Sequence, residues 1–184
     1  MLRARLSEAV VASTAYFVAY LVTFRLLMPL QDSFFPEYGS RASLLFLPHG
    51  VRVLAAWLLG WRAIPALLPG VFLTFADLGG MNVFLPSRLA AIIVAACAAP
   101  AVFYTLKALG WDLFPQAGKQ PCWTCVMGVG VVTALLISAP TNFALGSTLS
   151  EYVAFLIGDV AGLFFLMLGL LYFFRFFGDQ KPDA

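Results

Sequence analysis

Few side chains in this sequence are of types that do chemistry, and most of those lie in stretches that are otherwise apolar. They are His49, Arg52, Asp77, Arg88, Asn142 and Asp159, together with a Cys122-Trp123-Thr124-Cys125 pair. An ionisable group in a long apolar stretch is costly to desolvate and marks a site by default. His49 and Arg52 are three residues apart, which puts both on one face of a helix. The chain has a single histidine in 184 residues, so a His-rich metal site within one chain is excluded. One imidazole can still titrate near neutral pH. Asn142 follows Pro140 and Thr141, a run that predicts a break or a proline kink whose freed backbone groups could line a cavity.

The CxxC spacing lets two thiols close a small disulfide and favours one thiolate. Zinc would need two further ligands, and no second CxxC exists. The expectation is that Cys122 and Cys125 stay reduced on a cytoplasmic side, neither disulfide-bonded nor catalytic, with redox sensing and a metal shared between chains as the alternatives. Cys97 reads as a small core residue. No nucleophile elbow, phosphate loop, HExxH or DNA-binding element occurs, so no catalytic residue and no enzyme are expected. No residue pattern names a cofactor, and no metal or nucleic-acid partner is expected.

The elements that must position these residues follow from composition. Hydrophobic residues make up 62% of the chain and charged residues 11%, against roughly 25% charged in soluble domains. Too little charge remains to cover a globule, so most of the surface must face lipid. Long uncharged runs alternate with short polar breaks. The fold class expected is an all-α integral membrane bundle of about six transmembrane helices, forming one domain over 1–184. The helices are read as about Ala9 to Leu30, Ser43 to Gly60, Ala63 to Gly79, Val83 to Leu109, Trp123 to Leu145 and Tyr152 to Phe177. The runs lack the period-two alternation of a barrel.

Orientation follows from the basic residues. With a cytoplasmic N-terminus, the inner ends hold Arg3, Arg5, Arg62, Lys107, Lys119, Arg175 and Lys181. The outer ends hold Arg25, Arg41 and Arg88. The excess predicts N-in and C-in, in a bacterial-type inner membrane. His49, Arg52, Asp77, Arg88, Asn142, Glu151 and Asp159 then all fall in the outer half. Counting about 1.5 Å per residue puts Asp159 at the depth of Arg52. The expectation is an Arg52–Asp159 pair, either structural or lining an outward-facing polar pocket with Arg88. Gly158-x-x-x-Gly162 frames Asp159 and predicts a close helix contact, within the bundle first and between copies second. Arg25 is expected to snorkel toward headgroups.

Two stretches resemble the MASE-type integral membrane-associated sensor domain. One is Pro48-His49-Gly50-Val51-Arg52 continuing to Leu58-Leu59-Gly60-Trp61-Arg62-Ala63-Ile64-Pro65-Ala66, with Gly70 after it. The other is Gly158-Asp159-Val160-Ala161-Gly162. They cover about a third of the chain. That family's domain is usually longer, with about eight helices, and is commonly fused to a histidine kinase or cyclic-dinucleotide enzyme. This chain ends soon after its sixth helix. The resemblance therefore implies a sensory module that acts through another membrane or cytoplasmic protein. The expected function is a non-catalytic sensor-like or accessory subunit. The alternatives are a substrate-binding subunit of an energy-coupling-factor-type transporter and a structural subunit of a larger membrane complex.

Overall fold

A computed structural model describes residues 2–34, 43–116, 118, 120–145 and 149–178; at 2, 4, 139–145, 149–151, 174, 177 and 178 only the backbone is described. Helix α1 (Leu2–Leu21) runs through a π-helical segment (Val22–Leu27) into α2 (Met28–Phe34). Helix α3 (Leu47–Leu59) leads through a 3-10 turn (Gly60–Arg62) to α4 (Ala63–Gly79). A second 3-10 turn (Gly80–Phe84) precedes α5 (Pro86–Ala108), and α6 (Trp123–Leu145) and α7 (Leu149–Gly178) complete the order. Among the described residues there is no strand.

Prolines set several helix starts. Pro48 is the second residue of α3 and Pro86 the first of α5, in the first turn where a missing N–H is no loss. Gly60, at φ 58°, makes the reversal between α3 and α4. A Cβ there would also crowd the Tyr104 hydroxyl at 2.7 Å. Side-chain bonds give the direction of the helices. Ser13 on α1 donates to the Ala66 carbonyl of α4 (2.7 Å) and accepts from the Gly70 N–H (3.1 Å). Seven residues on, Tyr20 donates to Asp77 (2.6 Å), so α1 and α4 run parallel. The Trp57 ring of α3 meets that of Trp123 of α6 at a tilt, with centroids 5.5 Å apart, and His49 meets Gly130, so α3 and α6 run antiparallel.

Helix α3 is the axis of the bundle. It packs on α1, α4, α5, α6 and α7, and every residue from Pro48 to Trp57 is buried. Polar side chains on α3 therefore find protein partners or none. The outside is apolar: Val10, Val11 and Val18 on α1, Ile93 on α5, and Phe164, Phe165 and Phe173 on α7 are all exposed. Among the described residues, four helical stretches are long and apolar enough to cross a membrane: Arg5–Phe34, Leu47–Phe84, Pro86–Ala108 and Tyr152–Phe173. An apolar exterior of this extent fits a multi-pass membrane protein.

Several boundaries depart from expectation, among them the starts of α5 at Pro86 rather than Val83 and of α7 at Leu149 rather than Tyr152. The first helix extends from Leu2 to Phe34 rather than Ala9 to Leu30, because its polar ends add turns beyond the apolar run. The second helix starts at Leu47, not Ser43. Residues 43–46 are unwound and lie across α7. Helix α6 continues unbroken through Pro140 to Leu145. The side chains of Asn142 and Glu151 lie outside the described residues.

Candidate functional site

Non-helical backbone at membrane depth is tolerated only when protein satisfies its polar groups. The four N–H groups from Leu44 to Leu47 meet that condition. The Leu44 N–H donates to Gln31 Oε1 (2.8 Å) and the Leu45 N–H to Ser43 Oγ (3.2 Å). The Phe46 N–H donates to the Gly158 carbonyl (2.8 Å), and the Leu47 N–H to Thr23 Oγ1 (3.3 Å). Thr23 is fully buried and sits in the π-helical segment of α1. Extra turns of this kind re-aim side chains and recur at functional sites.

Gly158 and Gly162 make the crossing possible. A Cβ on Gly158 would collide with the Ser43 carbonyl, and one on Gly162 with the Phe46 carbonyl. Gly50, one turn into α3, faces the Leu163 Cα, which a Cβ would meet at 3.0 Å. The small-residue pattern on α7 thus serves a contact within the bundle. It carries Asp159 into the same crossing.

Three ionisable side chains meet there. His49 is 0% exposed, Arg52 5% and Asp159 8%. His49 Nε2 lies 3.1 Å from the Gly130 carbonyl of α6. His49 Nδ1 lies 3.5 Å from both Arg52 Nη2 and Asp159 Oδ2. Arg52 also sits over the Phe46 ring, 5.9 Å from its centroid. Its Nε is buried with no hydrogen-bond partner among the described residues. Tyr16 of α1, 3% exposed, lies within electrostatic reach of Arg52 and Asp159.

The expected one-face placement of His49 and Arg52 holds, and Asp159 arrives at the same level. The expected direct Arg52–Asp159 pair does not form: no salt bridge joins them, and His49 lies between. A backbone carbonyl only accepts, so Gly130 requires a proton on Nε2. In neutral His49, Nδ1 is then a lone pair, matched to the Arg52 donor. In the imidazolium, Nδ1 carries a proton, matched to Asp159. One ring nitrogen thus faces a donor and an acceptor, and its proton decides which contact is a hydrogen bond.

The other expected site residues stand elsewhere. Asp77 accepts from Tyr20 on the α1–α4 face and lies 3.8 Å from Arg25, whose side chain is 73% exposed. Arg88 is exposed on the first turn of α5. Neither joins His49, Arg52 and Asp159. Thr23, Tyr16 and Gly130 carried no signal in the sequence. Thr23 and Tyr16 are common residue types on an apolar helix, and Gly130 acts through its carbonyl, which every residue has.

The cysteine expectation is overturned. Cys122 and Cys125 are joined by a disulfide with their Cα atoms 5.2 Å apart. The first turn of α6 brings the two side chains to one side, which is the physical basis of the CxxC spacing. Cys97 is free and half-buried on α5. Among the described residues no group of three His, Cys, Asp or Glu side chains is placed to hold a metal ion. Comparison with protein-family models, with curated proteins and with solved structures found no match.

Proposed function

We propose that this chain is a non-catalytic, sensor-like or accessory subunit of a bacterial-type inner membrane. It crosses the membrane six times, with both termini cytoplasmic, and acts through a partner protein. The crossing count rests on the Leu47–Phe84 stretch. Its 38 residues would span about 57 Å as one helix, nearly twice a hydrocarbon core of about 30 Å. The turn at Gly60 supports reading α3 and α4 as separate crossings, and α6 is read as another. The basic residues support the orientation.

The site is the His49–Arg52–Asp159 cluster, and the observation that carries it is the partnerless Arg52 Nε. A buried donor left unsatisfied costs about 1–3 kcal/mol, more when charged. An acceptor atom on a polar or anionic ligand removes that cost. Helices α3, α6 and α7 all contribute to the cluster, so its occupancy biases how three helices pack. That gives a route from the outer half of the bundle to a partner.

Detergent-free extraction, pulldown of the tagged chain and mass spectrometry test the reading. A recovered kinase or nucleotide cyclase supports sensing. An ATPase pair makes the chain a transport subunit, and the components of one large complex make it structural. Reporter fusions at Ala184 and near Phe34 test the topology: they report opposite sides if the reading is right, and the same side if the helix count is wrong.

A further inference from the structure

The Cys122–Cys125 bond lies at the end of the bundle opposite the His49 cluster, and three features surround it. The sulfurs are unequal: Cys122 is exposed, whereas Cys125 is half-buried on the first turn of α6. Donors converge on the exposed one. The Cys125 N–H donates to Cys122 Sγ at 3.3 Å, and Thr124 Oγ1 lies 3.4 Å from it. The N–H groups at a helix start favour a sulfur that carries negative charge. Finally, Cys122 lines a cleft of about 250 Å³ with Trp57, Leu113, Phe114, Pro115 and Pro121. The Trp57 indole N–H donates to the Leu113 carbonyl (2.7 Å) and holds the cleft wall in place.

We propose that Cys122–Cys125 is a thiol–disulfide exchange site, with Cys122 the sulfur attacked and the adjoining cleft the seat of the incoming thiol. The incoming thiolate attacks Cys122 Sγ, forms a mixed disulfide and expels Cys125 as thiolate. A second substrate thiolate attacks the substrate sulfur of that mixed disulfide and releases Cys122 as thiolate. Two substrate thiols become one disulfide, and the Cys122–Cys125 pair takes up the two electrons and two protons. The reverse sequence reduces a substrate disulfide. The ligand is a thiol, from a small molecule or from a cysteine of a polypeptide. The cleft, smaller than a usual ligand pocket of roughly 300–1,000 Å³, takes the thiol and its immediate neighbours. Disulfides on a cytoplasmic side are mostly transient and functional, so exchange chemistry also fits the proposed orientation. The inference is independent of the His49 cluster.

The test uses the full chain in a Cys97→Ser background. It is equilibrated with graded reduced-to-oxidised glutathione mixtures, acid-quenched and labelled with a heavy maleimide. The expected result is a reversible transition from no label to two labels within the series, with a matching change in Trp57 and Trp123 fluorescence. A pair that stays oxidised, or stays reduced, at every ratio overturns the proposal. Single variants then test the asymmetry. Cys125→Ser, which keeps Cys122, should form a mixed disulfide with oxidised glutathione at least about tenfold faster than Cys122→Ser. Equal rates overturn the assignment of Cys122. A parallel arm with an unstructured cysteine-containing peptide, oxidised to its disulfide, identifies the source: faster reaction of the peptide marks a protein thiol, and faster reaction of glutathione a small one.

Discussion

His49 Nε2 of α3 faces the Gly130 carbonyl of α6 at 3.1 Å, and this one contact fixes which ring nitrogen carries the proton of the neutral ring. It leaves Nδ1 to choose between Arg52 and Asp159. It also ties the central helix to α6 at a point where a Cβ on Gly130 would collide with the Leu163 side chain.

That contact gives the first prediction. A glutamine amide can stand where Nε2 stands, whereas an asparagine amide reaches only as far as Nδ1. His49→Gln should keep the donor to Gly130 and stay close to the wild type in thermal stability. His49→Asn should lose the side-chain bond to that carbonyl, which keeps its helical partner in α6, and should cost about 0.5–1.5 kcal/mol. Thermal unfolding in one detergent measures both. Equal losses would mean that the Gly130 bond does not order the ring.

The α7 glycines give the second. Gly158→Ala and Gly162→Ala each place a methyl against backbone carbonyls of the 43–46 segment. Backbone cannot rotate away as a side chain can, so each should lose at least the roughly 1–3 kcal/mol typical of overpacking. Gly169 lies on the same helix, and an added methyl there would meet nothing within 4 Å. Gly169→Ala should be neutral or slightly stabilising. Folded yield of the three variants, measured side by side, decides it; equal tolerance of all three would remove the close crossing.

Thr23 gives the third. Valine has nearly the shape of threonine but cannot accept from the Leu47 N–H, which the Thr23 hydroxyl does now at 3.3 Å. Thr23→Val should destabilise by about 1–3 kcal/mol, and Thr23→Ser should recover most of that loss. Exchange of the Leu47 amide should quicken in the valine variant alone. Unchanged exchange would show that another group serves that amide.

Much of this arrangement was legible in the residues alone. The i, i+3 spacing put His49 and Arg52 on one face, and helical rise put Asp159 at their depth, because both inferences depend only on helix geometry. The Gly158-x-x-x-Gly162 pattern foretold a close approach, since small residues have few other uses inside an apolar helix. The partners were not legible. Gly130 contributes a carbonyl, Thr23 acts through an unforeseen π-helical segment, and the interposition of His49 between two opposite charges depends on angles that spacing does not carry. The Cys122–Cys125 bond was misjudged because the expectation was drawn from the compartment, whereas the local geometry of a helix start brings the sulfurs together on either side of a membrane.

If the buried charges serve a ligand and not the fold alone, Arg52→Leu combined with Asp159→Leu shows it most directly. Removing one charge strands the other, so each single change should lose about 3–5 kcal/mol. The double change replaces both charges with apolar side chains and strands neither, so it should lose less than either single change. Thermal stability and recovery of the co-purifying partner are measured on the same preparations. The predicted result is a double variant that folds near normally and no longer recovers its partner. A double variant that folds and still recovers the partner in full would contradict the claim, and leave the cluster a structural tie between α3, α6 and α7.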